Sequence, residues 1–352
     1  MRAAVFHSPG DIRLVQVPDP RAEAGEIIVR VGAAGICGTD LRIYSSGHHR
    51  IPAGTPRILG HELAGEVVEV GGEIPGLQPG VHVGIAPNIG CGVCADCVAG
   101  WTNLCADYRA LGISLDGGFA EYVRVPADAI RQGNVTSIPS DMPFARAALA
   151  EPLSCCLNGQ EAVGVGRNDV VAVIGAGPIG MMHLFLARLS GARAVILSEV
   201  AEARLAQARE LGADIVVDAA HEDLKHVVQE VSAGRGADVV IVAAPSARAQ
   251  QEALELVAHR GRINFFGGLP KDKPFVELNS NLIHYRQAVV TGTTGSNVRQ
   301  YRTAMSLVVH GRIDLQGLVG ATLPLDQVAD GLERTRAGAE MRIMLEPGPR
   351  PA

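Results

Sequence analysis

The chain has 352 residues, of which 47% are hydrophobic and 19% charged, enough to build more than one ordinary domain core. Its formal net charge is -6 and lysines and arginines form no block, so nucleic acid and anionic membrane surfaces are excluded as expected partners. The N-terminus has no basic stretch before an apolar run, so we expect no signal peptide and a cytoplasmic protein. In that reducing compartment, the seven cysteines are expected to be thiols or metal ligands.

The predicted elements change character along the chain. Up to about residue 150, short strands such as 27–31, 64–70 and 119–125 alternate with glycine and proline, which predicts a β-rich domain. From residue 170, apolar strands alternate with helices, as in a doubly wound parallel sheet. After residue 286 short mixed elements return. We therefore expect one domain at residues 1–150, completed by 293–352, and a second domain at residues 151–292.

Four cysteines in the first domain follow the pattern C-x2-C-x2-C-x7-C. Four thiolates in so short a loop can close a tetrahedron around Zn²⁺ and leave no open position. The pattern predicts a structural zinc site, with an iron–sulfur cluster as the main chemical alternative. Its ligands are Cys91, Cys94, Cys97 and Cys105.

A second group of metal-binding residue types is scattered through the same domain. His61 and Glu62 stand in the pattern G-H-E-x2-G-x5-G, Cys37 lies upstream in Cys-Gly-Thr-Asp, and Glu151 stands where the β-rich part ends. Taken alone, each is weak evidence, because a lone cysteine is usually a small buried residue and a single His-Glu pair is often accidental.

A glycine-rich run follows a predicted strand and opens a helix, Gly175-Ala176-Gly177-Pro178-Ile179-Gly180. In this context G-x-G-x-x-G predicts a dinucleotide site, in which the helix N-terminus faces the pyrophosphate and every residue of the run except Ala176 is expected to bind the cofactor. Glu199, after the next strand, is expected to bind the ribose hydroxyls and to repel a 2′-phosphate, with Arg204 about one turn further on. The prediction is NAD; the alternative is that Glu199 merely begins a helix.

Together these motifs resemble the zinc-containing medium-chain alcohol dehydrogenases, and more closely their polyol and threonine dehydrogenase branch. The resemblance runs over nearly the whole chain and includes residues 60–71, the four-cysteine loop, Gly-Gly-Phe-Ala-Glu-Tyr at 117–122, Glu-Pro-Leu at 151–153 and the glycine-rich run. It implies a β-rich GroES-like catalytic domain and a Rossmann domain with a doubly wound parallel sheet. It also implies two zinc ions per chain and hydride transfer from a secondary alcohol to NAD⁺.

The same resemblance assigns catalytic roles. Cys37 and His61 match the ligands of the catalytic zinc, Glu62 or Glu151 would be the third ligand with the other carboxylate nearby, and Asp40 would orient His61.

Thr39 matches the hydroxyl that begins the family's proton relay. The next relay position, often histidine in the family, is Arg42 here, which cannot accept a proton at neutral pH. We therefore expect His48, His49, the cofactor ribose or water to complete the route.

The substrate is the least determined feature. Phe119 matches an aromatic residue that lines the pocket of the polyol branch, but segment 291–296 lacks the arginine with which sorbitol dehydrogenases contact their substrate. We expect a polyol, cyclitol or related sugar alcohol, with a threonine-like amino alcohol as the alternative. A non-catalytic NAD-binding protein would have lost a zinc ligand, and a zinc-free quinone or enoyl reductase would lack both the cysteine loop and Gly-His-Glu.

The resemblance finally implies a homodimer or homotetramer, in which subunits pair through the last strand of the nucleotide sheet. The corresponding run here is 288–292, an apolar edge that would otherwise expose unpaired backbone groups. The alternative is an edge covered by the chain's own C-terminal segment.

Overall fold

A computed structural model describes residues 1–338 and 340–348 of the chain. It divides into two compact units, one formed by Met1–Ser154 with the chain from Gly295 onward, the other by Cys155–Thr294. The expected domains, 1–150 with 293–352 and 151–292, differ from these units by a few residues at each boundary. In the described residues, no helix combines the length and apolar character needed to cross a membrane.

The first unit consists mainly of short strands, because glycine and proline interrupt its apolar runs. Its strands are β1 Arg2–Ser8, β2 Asp11–Gln16, β3 Ile27–Gly35, β4 Arg57–Ile58, β5 Glu62–Val70, β6 His82–Ile85, β7 Asn88–Ile89, β8 Arg109–Ala110, β9 Tyr122–Val125, β10 Val135–Ser137, β17 Val319–Pro324 and β18 Arg342–Glu346. Its helices are α1 Gly38–Ser46, α2 Ala95–Val98, α3 Ala127–Gln132, α4 Phe144–Ala148, α11 Val298–Val309 and α12 Val328–Ala337, and α5 Ala150–Val163 continues into the second unit.

The strands of this unit form a seven-stranded sheet in the order β10-β6-β5-β3-β18-β17, with β9 also pairing with β3, and small sheets β2-β1-β4 and β7-β8. Strand β18 shows that the end of the chain completes this unit, because it pairs directly with β3. The antiparallel register sets Glu62 opposite Gly35, and Met344 opposite the same glycine on the other side. A Cβ at Gly35 would lie 2.3 Å from Glu62 Oε2, so glycine is needed there to leave room for the carboxylate.

The second unit alternates strands and helices around one parallel sheet of order β13-β12-β11-β14-β15-β16. The strands are β11 Val170–Ile174, β12 Ala194–Glu199, β13 Ile215–Asp218, β14 Ala237–Val242, β15 Val257–Phe265 and β16 Val289–Gly292. The helices are α6 Pro178–Leu189, α7 Glu202–Glu210, α8 Leu224–Val231, α9 Ala247–Leu256 and α10 Ser280–Arg286. Strand β11 is buried throughout, as expected for a parallel strand covered on both faces.

The predicted fold class is therefore confirmed, and most element boundaries lie within a few residues of the prediction. Helix α6 begins at Pro178 within the glycine-rich run, because proline suits the first helical position. The expected strand at 119–125 is shorter, since β9 begins at Tyr122.

Candidate active site

Three side chains of the first unit bring possible metal-ligand atoms together. One such atom from each of Cys37, His61 and Glu62 lies within 4.8 Å of the other two. Cys37 is the N-cap of α1, two residues after β3 ends, and the other two stand where β5 begins. The β3–β5 pairing therefore joins segments that are more than twenty residues apart in sequence.

Asp40 ties the two ligand-bearing segments to each other. Its buried carboxylate accepts hydrogen bonds from the backbone N–H of Cys37 at 2.9 Å and of Gly60 at 3.3 Å. The same carboxylate lies 3.5 Å from Nδ1 of His61. Burial lowers the pKa of His61, but the charges and hydrogen bonds of Asp40 and Cys37 outweigh burial and hold that pKa well above its ordinary value. In the absence of metal, this cluster therefore favours a positive charge on its histidine.

The donor set fits a zinc ion. Both carboxylate oxygens of Glu62 are buried and accept no hydrogen bond in the described part of the chain. A buried carboxylate that accepts no hydrogen bond is costly unless cations lie close to it. Thiolate, imidazole and carboxylate are ligands that Zn²⁺ takes in catalytic sites, where three protein ligands leave a fourth position open.

Arg342, which the sequence reasoning missed, is a cation beside this cluster. Only 5% of the residue is exposed, its Nη2 lies 3.3 Å from Glu62 Oε1, and its Nη1 donates to the Ile36 carbonyl at 3.0 Å. Burial lowers the pKa of Arg342, but the negative charges of Glu62, Cys37, Glu151 and Asp40 raise it overall. The only signal in the sequence is one arginine within the apolar run Arg-Ile-Met-Leu, and nothing local identifies its distant partner.

Glu151 does not join the three-residue cluster. It lies in the first turn of α5 and is 5% exposed, and its charge helps to raise the pKa values of Arg342 and of the buried Tyr301. For Tyr301, burial is the larger cause of the raised pKa. Of the two glutamates that the sequence left open, the structure therefore brings Glu62 to Cys37 and His61.

The four cysteines of the 91–105 loop form a second cluster, with their Sγ atoms all within 4.8 Å of one another. Backbone N–H groups of Val93 and Cys94 lower the pKa of Cys91 to about 7, whereas burial raises the pKa of Cys97 to about 12. A Cβ at Gly90 would lie 2.5 Å from the sulfur of Cys97, so glycine permits the close turn. This donor set fits a tetrahedral Zn²⁺ site with no open position.

The glycine-rich run lies at the carboxyl end of β11 and opens α6. Gly175 has a φ of +108°, and a Cβ at Gly180 would lie 1.8 Å from the Gly175 carbonyl, so both positions require glycine. A cavity of about 720 Å³ adjoins this run and is also lined by Glu199 and Arg204. The carboxylate of Glu199 accepts hydrogen bonds from the N–H groups of Ala176 at 3.1 Å and Val200 at 2.8 Å, and lies 3.7 Å from Arg204 Nη1.

Comparison with known proteins agrees with this architecture. Residues 23–139 match the alcohol dehydrogenase GroES-like domain, and residues 178–310 match the zinc-binding dehydrogenase family. The chain is 33% identical to the L-threonine 3-dehydrogenase of Pyrococcus furiosus over 334 residues, 94% of each protein. The chain belongs to the zinc-containing medium-chain alcohol dehydrogenases. The predicted resemblance is thus confirmed, and the protein is an oxidoreductase that depends on zinc and a nicotinamide dinucleotide.

Two solved structures of this dehydrogenase class show the same fold over almost their full length. A protein of Sinorhizobium meliloti 1021, crystallised with NADP, is 35% identical with a TM-score of 0.89, covering 98% of this chain and 99% of its own. The 2R,3R-butanediol dehydrogenase of Bacillus subtilis is 27% identical with a TM-score of 0.88, covering 99% of both chains.

In this dehydrogenase, Thr39 lies in the first turn of α1, and its Oγ1 accepts a hydrogen bond from Arg42 Nη2 at 3.0 Å. His48 and His49 lie in the following loop with ring centroids 4.3 Å apart, and the N–H of Arg50 donates to His48 Nδ1. No hydrogen bond within residues 1–338 and 340–348 joins either imidazole to Thr39.

Phe119, which the resemblance places in the substrate pocket, is buried in this structure. The side chain is 0% exposed, and a Cβ at Gly60 would lie 2.3 Å from its ring. The ring therefore packs closely against Gly60, and its contact with a substrate stays a prediction.

Proposed function

We propose that this dehydrogenase oxidises a secondary alcohol of a small polyhydroxylated compound, such as a polyol, cyclitol or sugar derivative, to a ketone with NAD⁺. The observation that carries the proposal is the convergence of Cys37, His61 and Glu62 on one point, with the hydroxyl of Thr39 two residues from the first of them. A catalytic zinc site needs three such ligands and a nearby group that can take up a proton.

Within this site Cys37, His61 and Glu62 would hold the metal, and Asp40 would fix the ring of His61 through Nδ1. Bound zinc would polarise the substrate hydroxyl and lower its pKa, and NAD⁺ would accept the hydride. The Thr39 hydroxyl would receive the proton that the substrate loses and pass on its own. Arg42 occupies one lone pair of Thr39 Oγ1 and cannot itself accept that proton, so the proton leaves by another group.

Selection of NAD⁺ over NADP⁺ would depend on Glu199. Its carboxylate is held by backbone N–H groups and is 8% exposed, at the end of β12 where the adenosine ribose lies in Rossmann domains. A fixed negative charge there accepts hydrogen bonds from two ribose hydroxyls and repels a 2′-phosphate. The Sinorhizobium relative was crystallised with NADP, so the cofactor preference of this enzyme is measured with both nucleotides.

The second candidate substrate is L-threonine. It is favoured by a specific observation, namely 33% identity to L-threonine 3-dehydrogenase over 94% of both proteins. Both candidates require the same oxidation of a secondary alcohol, so the proposed roles of Cys37, His61, Glu62 and Thr39 serve either one.

The test is a substrate panel with the purified, zinc-replete protein. NADH formation would be followed with polyols, cyclitols and amino alcohols, and then repeated with NADP⁺ for the best substrate. We expect turnover with at least one neutral or charged polyhydroxylated alcohol, and none in the His61→Ala variant. If L-threonine has a higher kcat/KM than every polyol and cyclitol, the second candidate replaces the first.

A further inference from the structure

We propose that Arg42 binds an anionic group on the substrate, a carboxylate or a phosphate, and so makes this enzyme selective for charged secondary alcohols. The inference rests on the proposed function, because it adds the charge of the substrate to the oxidation assigned above.

The position of Arg42 is defined by one hydrogen bond. Its Nη2 donates to Thr39 Oγ1 at 3.0 Å, which fixes one end of the guanidinium beside the hydroxyl proposed to take up the substrate's proton. The residue lies on the exposed side of α1, five residues after Cys37. A permanent positive charge is therefore held close to the reacting group without being a metal ligand.

The charge of Arg42 has no acidic partner among the described residues, whereas its neighbours in the segment are engaged. Arg50 donates to the Tyr108 carbonyl at 2.8 Å and lies over the Tyr108 ring, and Arg57 forms an ion pair with Asp116 at 2.8 Å. The contact of Arg42 with Thr39 is to a neutral hydroxyl. The guanidinium therefore keeps N–H groups for a ligand, in the fork geometry that suits carboxylates and phosphates.

The surrounding sequence reinforces this local charge. Residues 41–57 contain three arginines and two histidines but no aspartate or glutamate, although the whole chain has a net charge of -6. From α12, which packs against α1, Arg336 approaches Ser45 at 3.4 Å but is paired with Glu333. A basic segment on an acidic protein attracts anions to this face in preference to neutral compounds.

The geometry also limits where the anionic group lies on the substrate. The reacting hydroxyl must come within about 2.7 Å of Thr39 Oγ1 to pass its proton. The far nitrogens of the guanidinium lie roughly 2 Å beyond Nη2, and a hydrogen bond adds about 2.9 Å, so the anion lies within about 8 Å of Oγ1. This upper bound allows a carboxylate or phosphate two or three atoms from the reacting carbon.

The experiment compares neutral and anionic alcohols of matched skeleton in the zinc-replete, full-length enzyme. The pairs are 1,3-butanediol with 3-hydroxybutyrate, glycerol with glycerol 1-phosphate, and sorbitol with gluconate. A charge-assisted hydrogen bond changes binding by about 10- to 100-fold, so we expect kcat/KM for at least one anionic member to exceed that of its neutral partner by that factor. The carboxylate and phosphate pairs then identify which anion is preferred.

In Arg42→Gln we expect this preference to disappear, because KM rises for the anionic member of each pair and not for its neutral partner. Arg42→Lys should keep part of the preference, because it retains the charge without the fork. Arg21→Gln removes the same charge from an exposed surface position of the same unit and should change nothing.

Three results overturn the inference while leaving the proposed oxidation intact. The first is that neutral alcohols have kcat/KM values as high as those of all their anionic partners. The second is that Arg42→Gln lowers kcat/KM equally for both members of each pair. The third is that Arg42→Gln raises only the KM for NAD⁺. If the wild-type enzyme oxidises no secondary alcohol with either cofactor, the proposed function itself fails, and the inference fails with it.

Discussion

Replacing Arg342 with methionine tests how the catalytic cluster balances its charges. The substitution keeps much of the side-chain volume but removes a buried guanidinium that lies 3.3 Å from Glu62 and donates to the Ile36 carbonyl. Removing one partner of a buried ion pair costs about 3–5 kcal/mol of folding free energy, because the remaining carboxylate is left unpaired. In the metal-free protein we expect the folding free energy to fall by this full amount.

The same substitution should cost less in the zinc-loaded protein. There the metal compensates Glu62, so the loss reduces to the charged hydrogen bond with Ile36, about 1.5–3 kcal/mol. By thermodynamic linkage, the difference of roughly 2 kcal/mol must appear as zinc binding that is about 30-fold tighter in Arg342→Met. Arg342 thus stabilises the empty site and opposes the metal.

Two assays check this reasoning. The first assay measures urea unfolding of the first unit in metal-free and zinc-loaded proteins. The fluorescence of Trp101, the single tryptophan of the chain, reports the unfolding. Competition with a chromophoric chelator would give zinc affinity, the four-cysteine loop being unchanged. Arg334→Met is the matched control, since its ion pairs with Glu340 and Asp330 are partly exposed and worth at most about 1 kcal/mol. Equal losses with and without zinc, or weaker zinc binding, would refute the argument.

Four further predictions follow from named side chains. Glu199→Arg should raise KM for NAD⁺ and lower KM for NADP⁺, each by about tenfold or more; equal use of the two cofactors by the wild type would contradict the assignment. His61→Ala should lose turnover and one of about two zinc ions per chain by metal analysis, while NADH still binds in a fluorescence titration. Cys94→Ser should lose the other zinc ion, and its main defect should be lower stability in thermal unfolding. Burial lowers the pKa of His183 to about 3, so below about pH 6.5 the unfolded chain binds a proton that the folded chain does not. The free energy of unfolding should therefore fall by about 2 kcal/mol between pH 7 and pH 5 in urea titrations, and His183→Gln should remove this loss. The exposed edge strand β16 should pair with its symmetry mate, so light scattering at micromolar concentration should give at least twice the chain mass, and Val289→Asp should reduce it; a single-chain mass for the wild type would eliminate this dimer.

Much of the architecture could be predicted because its signals are local. The strand, glycine-rich turn and helix around Gly175 occupy one continuous segment, and the four cysteines of the loop span only positions 91–105. In both cases, the residue spacing limits the conformations open to the backbone, so the sequence pattern predicts the local structure of the site.

The environment of Phe119 depends on tertiary packing. The resemblance places this residue in the substrate pocket, and the structure packs its ring against Gly60 with no exposed surface. Whether a residue near a site faces the ligand or supports the backbone depends on packing from both sides, which no single segment encodes.

The sequence by itself determined the four-cysteine loop, the dinucleotide motif and the fold class, because each depends on short-range spacing or periodicity. The scattered candidates Cys37, His61, Glu62 and Glu151 came only from the family resemblance. Only the tertiary structure decided that Glu62 rather than Glu151 approaches Cys37 and His61, and that Arg342 balances this carboxylate. The physical reason is strand register: β5 and β18 pair with β3 on opposite sides, so residues 280 positions apart meet around Gly35 through backbone hydrogen bonds that leave no trace in local sequence.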